Sequence, residues 1–229
     1  MEYSIRGTTM PLLEVSMGAG DALFTQAGGM AWFRGPIDMQ ASTRGGALKA
    51  LARMVGGESL FLTTYRASGP AQITFAPRTI GAVVPVNLAA GQSLIATKDA
   101  FLCAEDSVSL EIVFRAKVMA GLLGGPGFIL QRVSGPGQVF LELSGEVTAL
   151  ELAAGETLTV DGAHIGFFEP TVTHDVKMLR GLKNILGSGE GLALDTLTGP
   201  GKVWLRSLPL RNLAQELAAY MPRTGAGSG

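Results

Sequence analysis

Apolar and polar positions alternate along most of this chain in short runs that glycine interrupts. Ala22-Leu23-Phe24, Ser93-Leu94-Ile95 and Thr157-Leu158-Thr159-Val160 each follow a small-residue turn: Gly18-Ala19-Gly20-Asp21, Ala89-Ala90-Gly91-Gln92 and Ala153-Ala154-Gly155-Glu156. A period of two puts one face of a strand in a core and the other in solvent or an interface. Further along, the runs end in Ile37-Asp38-Met39, Val108-Ser109-Leu110 and Val172-Thr173-His174. A second landmark keeps step with the first. Gly69-Pro70-Ala71-Gln72-Ile73, Gly135-Pro136-Gly137-Gln138-Val139 and Gly199-Pro200-Gly201-Lys202-Val203 are spaced 66 and 64 residues apart. Gly-Pro pairs make tight turns, because glycine tolerates positive φ and proline pre-sets the next torsion. The two landmarks in phase predict three internal repeats, about 10–80, 81–145 and 146–209, inside one compact β domain over residues 1–222.

A different pattern recurs between the strand groups. Residues 46–55, 117–123 and 177–186 read as short helical segments, each running into glycines that suit a helix C-terminus. The third has the clearest period, with Met178, Leu182, Ile185 and Leu186 on one side and Lys177, Arg180 and Lys183 around the rest. Leu210, Leu213, Leu217 and Tyr220 stand at helical spacing before Pro222, which predicts a docked C-terminal helix over 210–220. The small, glycine-rich stretch 223–229 reads as a frayed tail. The fold class expected is therefore all-β, with short helical segments and one C-terminal helix.

Composition limits the partners. The 18 basic and 19 acidic residues nearly balance, so net charge gives no reason to expect nucleic acid or an anionic surface. Only 16% of residues are charged while 47% are hydrophobic; soluble domains carry roughly 25% charge. Burial of surface in a homo-oligomer is the simplest account of the deficit. Cys103 stands alone, which points to a reducing compartment and a cytoplasmic protein. Met1 to Thr9 contains Glu2, with no apolar run and no cleavage pattern, so neither an export signal nor a mitochondrial targeting extension is expected. The longest weakly polar stretch, Ile80 to Ala90, is broken by Pro85 and Asn87 and is too short for a membrane helix.

Catalytic chemistry is hard to assemble from these residues. His164 and His174 are the only histidines, and their spacing makes no ligand motif; each reads as a partly exposed strand residue. No glycine-x-serine-x-glycine elbow is present. Gly187-Ser188-Gly189-Glu190-Gly191 lacks the lysine and hydroxyl of a phosphate loop and precedes an apolar strand. Cys103, between Leu102 and Ala104, reads as a small hydrophobe. Trp32-Phe33, Phe167-Phe168 and Trp204 could stack bases, but no basic stripe accompanies them, so they read as packing residues. Basic segments at Lys49–Arg53, Arg115–Lys117 and Lys177–Lys183 keep a peripheral membrane contact open, against the simpler reading that they are solvated faces. The expected inventory is no catalytic residue, no metal site and no cofactor.

Several of these marks, taken in order, resemble a known family, the bacterial and mitochondrial group named after altered inheritance of mitochondria protein 24. They are Gly28-Gly29-Met30-Ala31, Gly56-Gly57-Glu58-Ser59-Leu60-Phe61, Gly135-Pro136-Gly137, Val160-Asp161-Gly162-Ala163-His164, Gly189-Glu190-Gly191-Leu192 and Gly199-Pro200-Gly201-Lys202-Val203-Trp204, within a resemblance from about Pro11 to Tyr220. It implies a β-sandwich or double-stranded β-helix like that of the tryptophan RNA-binding attenuation protein, and a symmetric homo-oligomer, a trimer. It implies no enzyme, and a shared scaffold does not confer RNA binding. The reading that fits both presences and absences is a non-catalytic oligomeric structural or protein-binding module with an unidentified protein partner. A small-ligand or membrane-surface binder is the alternative, and a cupin-like enzyme fits less well.

Overall fold

The computed structural model describes residues 1–26, 28–42, 62–115, 129–178 and 193–220. Strand β1 (Glu2–Arg6) precedes three groups of six strands. The first group is β2 (Leu12–Met17), β3 (Ala22–Gln26), β4 (Met30–Arg34), β5 (Ile37–Ser42), β6 (Leu62–Ala67) and β7 (Ala71–Phe75). The second is β8 (Gly81–Leu88), β9 (Ser93–Thr97), β10 (Phe101–Glu105), β11 (Ser109–Arg115), β12 (Ile129–Ser134) and β13 (Gly137–Ser144). The third is β14 (Val147–Leu152), β15 (Thr157–Val160), β16 (Ile165–Phe168), β17 (Thr173–Met178), β18 (Ala193–Thr198) and β19 (Gly201–Arg206). Helix α1 (Leu210–Tyr220) closes the described chain. The architecture is all-β.

One antiparallel pairing scheme serves all three groups. The sixth strand lies between the first and third, and the fifth between the second and fourth. Each unit thus holds two three-stranded half-sheets, which face each other as a small sandwich with its own core. In the second unit Leu88, Leu94, Phe101, Val133, Val139 and Leu141 fill that space. Neighbouring units then share sheets, because β3 pairs with β10 and β9 pairs with β16. Two six-stranded sheets result, β5-β6-β3-β10-β13-β8 and β11-β12-β9-β16-β19-β14.

Strand alternation explains why the shared sheets are apolar on both faces. Leu23 packs in the first core with Leu13, Tyr65 and Phe75, whereas its neighbour Phe24 packs in the second. Likewise Leu94 belongs to the second core and Ile95 to the third. Such a strand is covered on both faces, and β3 is buried at every position, with Ala22, Leu23 and Phe24 apolar and the polar Thr25 and Gln26 hydrogen-bonded to Leu102 C=O and Gln131 Oε1. The low charge of the chain is in part the cost of these double-sided joints.

The turn between first and second strands is built the same way three times. Gly20, Gly91 and Gly155 adopt φ of 91°, 83° and 76°, which only glycine takes without strain. The side chains of Asp21, Gln92 and Glu156 then accept the backbone N–H of Gly18, Ala89 and Ala153 at 2.8, 2.9 and 2.8 Å. Pro85 sits on β8, an edge strand, where its missing N–H breaks no ladder between two strands.

Some local expectations change. Ile37, Val108 and Val172 lie at or just before the start of β5, β11 and β17, so the runs they begin open strands instead of ending them. The helical segments expected at 46–55 and 117–123 lie outside the described residues, as do 179–186 and the tail at 223–229. Lys177 and Met178 are described, and they end β17 opposite Leu194 and Ala193, where cross-strand pairing outweighs a local helical period. Helix α1 exists, but it is not docked as expected: from Ala214 on, each residue whose burial is described is exposed.

Candidate functional site

Among the described residues, the third strand of the first unit and the second strand of the third unit lack the neighbour that their counterparts have in the joined sheets. Every third strand carries the same irregularity opposite the sixth: the register skips between Phe101 and Cys103, between Ile165 and Phe167, and between Met30 and Trp32. Cys103, Phe167 and Trp32 are therefore equivalent, as are Ala104, Phe168 and Phe33. The repeated glycine turn likewise aligns Leu23, Leu94 and Leu158 on the second strands. In both shared sheets the third strand of one unit pairs with the second strand of the preceding unit in one register. Ala104 faces Phe24 as Phe168 faces Ile95, and Cys103 faces Thr25 as Phe167 faces Ala96. At the ends, β4 is an edge of the sheet β1-β2-β7-β4 and β15 an edge of the sheet β15-β18-β17.

Burial follows this difference. Cys103 and Phe167 are fully buried, yet their counterpart Trp32 is 45% exposed. Phe24 and Ile95 are buried, while their counterpart Thr159 is exposed. Each open sheet also holds a buried hydroxyl without a hydrogen-bond partner, Thr74 Oγ1 opposite Trp32 and Thr196 Oγ1 opposite Thr159. The joined sheets hold one such atom each as well, Gln131 Nε2 on β12 and Ser144 Oγ on β13, so the difference between ends and joints rests on exposure.

The connectors between units form a second ladder. Gly81 N–H donates to Thr9 C=O at 2.9 Å, and Gly145 N–H to Ile80 C=O at 2.9 Å. Leu208 N–H then donates to Ser144 C=O at 3.3 Å. The acceptors Thr9, Ile80 and Ser144 thus stand on successive rungs, each just ahead of where a unit begins, and Leu208 ends the series as a donor.

A network of charges at the junction of the units is the feature that sequence reasoning missed. Arg206 is 5% exposed and donates to Ala163 C=O at 3.1 Å, Thr97 Oγ1 at 2.9 Å and Ile165 C=O at 2.8 Å. It also holds both oxygens of Asp99, at 2.5 and 3.1 Å. Arg78 donates from Nε to Glu142 Oε1 at 2.7 Å, from its backbone to Glu142 Oε2 at 2.8 Å, and from Nη2 to Asp99 C=O at 2.9 Å. Burial pushes the Asp99 carboxyl up, but the Arg206 guanidinium outweighs it and holds Asp99 below the usual range. For Glu142 burial dominates, and its carboxyl is raised despite Arg78. The available signal was a charge inside an apolar run: Glu142 between Leu141 and Leu143, and Arg206 after Val203-Trp204-Leu205. These charges satisfy one another and pin the units together.

The residues singled out from sequence are scattered. His164 is in a single 3₁₀ turn, not a strand, with Nδ1 2.8 Å from Arg206 C=O. His174 is on β17 and partly exposed as expected, with its ring turned inward against the Asp195 carboxylate; the short residue Gly162 makes room for that carboxylate. Cys103 is fully buried, and burial raises its thiol well above the ordinary range. Phe167 and Phe168 are buried and Trp204 stacks on Phe167 at 4.5 Å, so Trp32 has no aromatic platform beside it from these residues. Among the described residues no group of three or more His, Cys, Asp or Glu could hold a metal ion. In a depression lined by Met1, Tyr3, Asn87, Glu105, Gln138 and Phe140, Glu105 already accepts the Gln138 N–H at 3.0 Å. The phosphate-loop candidate at 187–191 and the basic segments 49–53 and 179–183 lie outside the described residues. No described helix is long and apolar enough to cross a membrane.

Comparison with known proteins agrees with this architecture. Residues 3–208 match the family described as Mitochondrial biogenesis AIM24. An uncharacterized protein of Streptococcus pyogenes serotype M6 is 28% identical over 231 aligned residues, covering 97% of this chain and 92% of the relative. The crystal structure of a Streptococcus pyogenes protein solved by structural genomics superposes with a TM-score of 0.80 at 25% identity, over 96% of this chain and 99% of that one.

Proposed function

The chain belongs to the Mitochondrial biogenesis AIM24 family, and we propose that it is a non-catalytic building block that joins copies of itself head to tail. The observation that carries this reading is the joint made twice inside the chain and, among the described residues, left unmade at its two ends. Extending the internal register sets Phe33 opposite Thr159 and Trp32 opposite Val160 of the neighbouring copy. The connector ladder would continue in step, with Met10 of one copy meeting the connector that ends at Leu208 of the other. An open edge strand is a template for pairing with another chain, and a heterologous contact that closes makes a ring, not a fibre. A ring of three chains is the order that the family resemblance implies.

This role needs no active site, and the charges of the junction network, Arg78, Asp99, Glu142 and Arg206, are engaged with one another. The assembled ring would present an outer surface to a protein partner whose identity is open. A buried lone Cys103 supports a reducing, cytoplasmic setting, since it needs no oxidising environment. Trp32→Cys together with Val160→Cys tests the joint. Opposed residues on paired strands bring their Cβ atoms to about 5 Å, so mild oxidation should give disulfide-linked oligomers from the double variant and unlinked chains from either single one. A disulfide formed only within one chain, or none at all, would contradict the head-to-tail joint.

A further inference from the structure

Helix α1 carries an apolar stripe, Leu210, Leu213, Leu217 and Tyr220, of which Leu217 is 57% and Tyr220 86% exposed. Where the helix starts decides what can cover it. After the connectors at Thr9, Ile80 and Ser144 the chain runs on into the first strand of a unit, β2, β8 or β14. After Leu208 it turns into α1 instead. On the head-to-tail reading above, the unit that follows Leu208 is the first unit of the next copy. Its entry is the hairpin of β1 and β2, where Met10 is 73% exposed and Ile5 also reaches solvent. Two uncovered apolar patches on opposite ends of one chain then become neighbours only in the assembly.

We infer that the apolar stripe of α1 docks on the N-terminal hairpin of the neighbouring copy, around Met10 and Ile5, and so covers the joint between chains. A lipid surface is a poorer occupant. The described polar side of α1 is Arg211, Asn212, Gln215 and Glu216, with one cation balanced by one anion, whereas helices that lie on anionic membranes are rich in Lys and Arg. Full-length Met10→Cys and full-length Leu217→Cys chains are mixed, allowed to exchange subunits, and treated with a short bis-maleimide. Cys103 is buried and stays out of the reaction. The expected product joins one chain of each kind. The docking is overturned if the mixture keeps its oligomeric mass and both new thiols react with a monofunctional maleimide, yet no mixed product forms. A link confined to single chains in the Met10→Cys/Leu217→Cys double variant overturns it as well, since the helix would then fold onto its own hairpin. A monomeric mass for both variants and the parent overturns the docking and the head-to-tail joint together.

Discussion

Arg206 reaches five acceptor atoms from one buried guanidinium, and this sets the cost of losing it. Removing one member of a buried ion pair typically costs about 3–5 kcal/mol; Asp99 retains access to water, so Arg206→Ala is expected near the lower end, at about 3 kcal/mol. Arg66→Ala removes the exposed pair with Asp106 and should cost under about 1 kcal/mol. Urea unfolding of the two variants gives the comparison directly. Asp99 also predicts a pH dependence. Its carboxyl is held low in the folded state, so the unfolded chain binds the proton more tightly. The stability it contributes is present above the ordinary aspartate range and is lost as pH falls through the lowered folded value. Glu142 acts in the opposite sense, because its raised carboxyl takes up a proton first in the folded chain. Asp99→Asn should therefore flatten the acid side of a stability profile, and an unchanged slope would remove Asp99 from the account. Cys103 should resist a thiol reagent until the protein unfolds, because burial keeps it protonated and out of reach.

At the scale of elements, the glycines of the connectors and turns separate two kinds of constraint. Gly145 and Gly155 have nearly the same φ, 75° and 76°. A Cβ on Gly155 would meet open space, whereas one on Gly145 would lie 2.8 Å from Leu208 N and crowd Ser207 Oγ. Gly155→Ala is expected to cost about 1–2 kcal/mol from the backbone alone, and Gly145→Ala clearly more, read as a larger fall in melting temperature. Such turns were legible in the sequence because glycine followed by a polar acceptor is a local signal. The shared sheets were less so. Leu23 and Phe24 are adjacent apolar residues that serve two different cores, and nothing in one strand's pattern says that a second unit covers its far face. The charge network was illegible for a related reason, since Glu142 and Arg206 read as strand residues until Arg78 and Asp99 are brought beside them from far along the chain. The exposure of α1 was missed because helical spacing identifies an apolar stripe but not the surface that covers it.

At the scale of the whole molecule, three units related by one pairing scheme form a row with unlike ends, β4 at one and β15 at the other. Unlike ends that fit each other give heterologous assembly, and closure keeps it finite. Trp32→Glu would put a charge where Cys103 and Phe167 are buried in the internal joints. It should shift the protein toward single chains at micromolar concentration without changing its far-ultraviolet spectrum, since Trp32 is already half in water within one chain. The mass of the unmodified protein in solution tests the account most directly. Light scattering at micromolar concentration should give a discrete species at three times the 23.8 kDa chain; a stable mass of one chain would contradict the head-to-tail assembly, and a different closed multiple would contradict only its order.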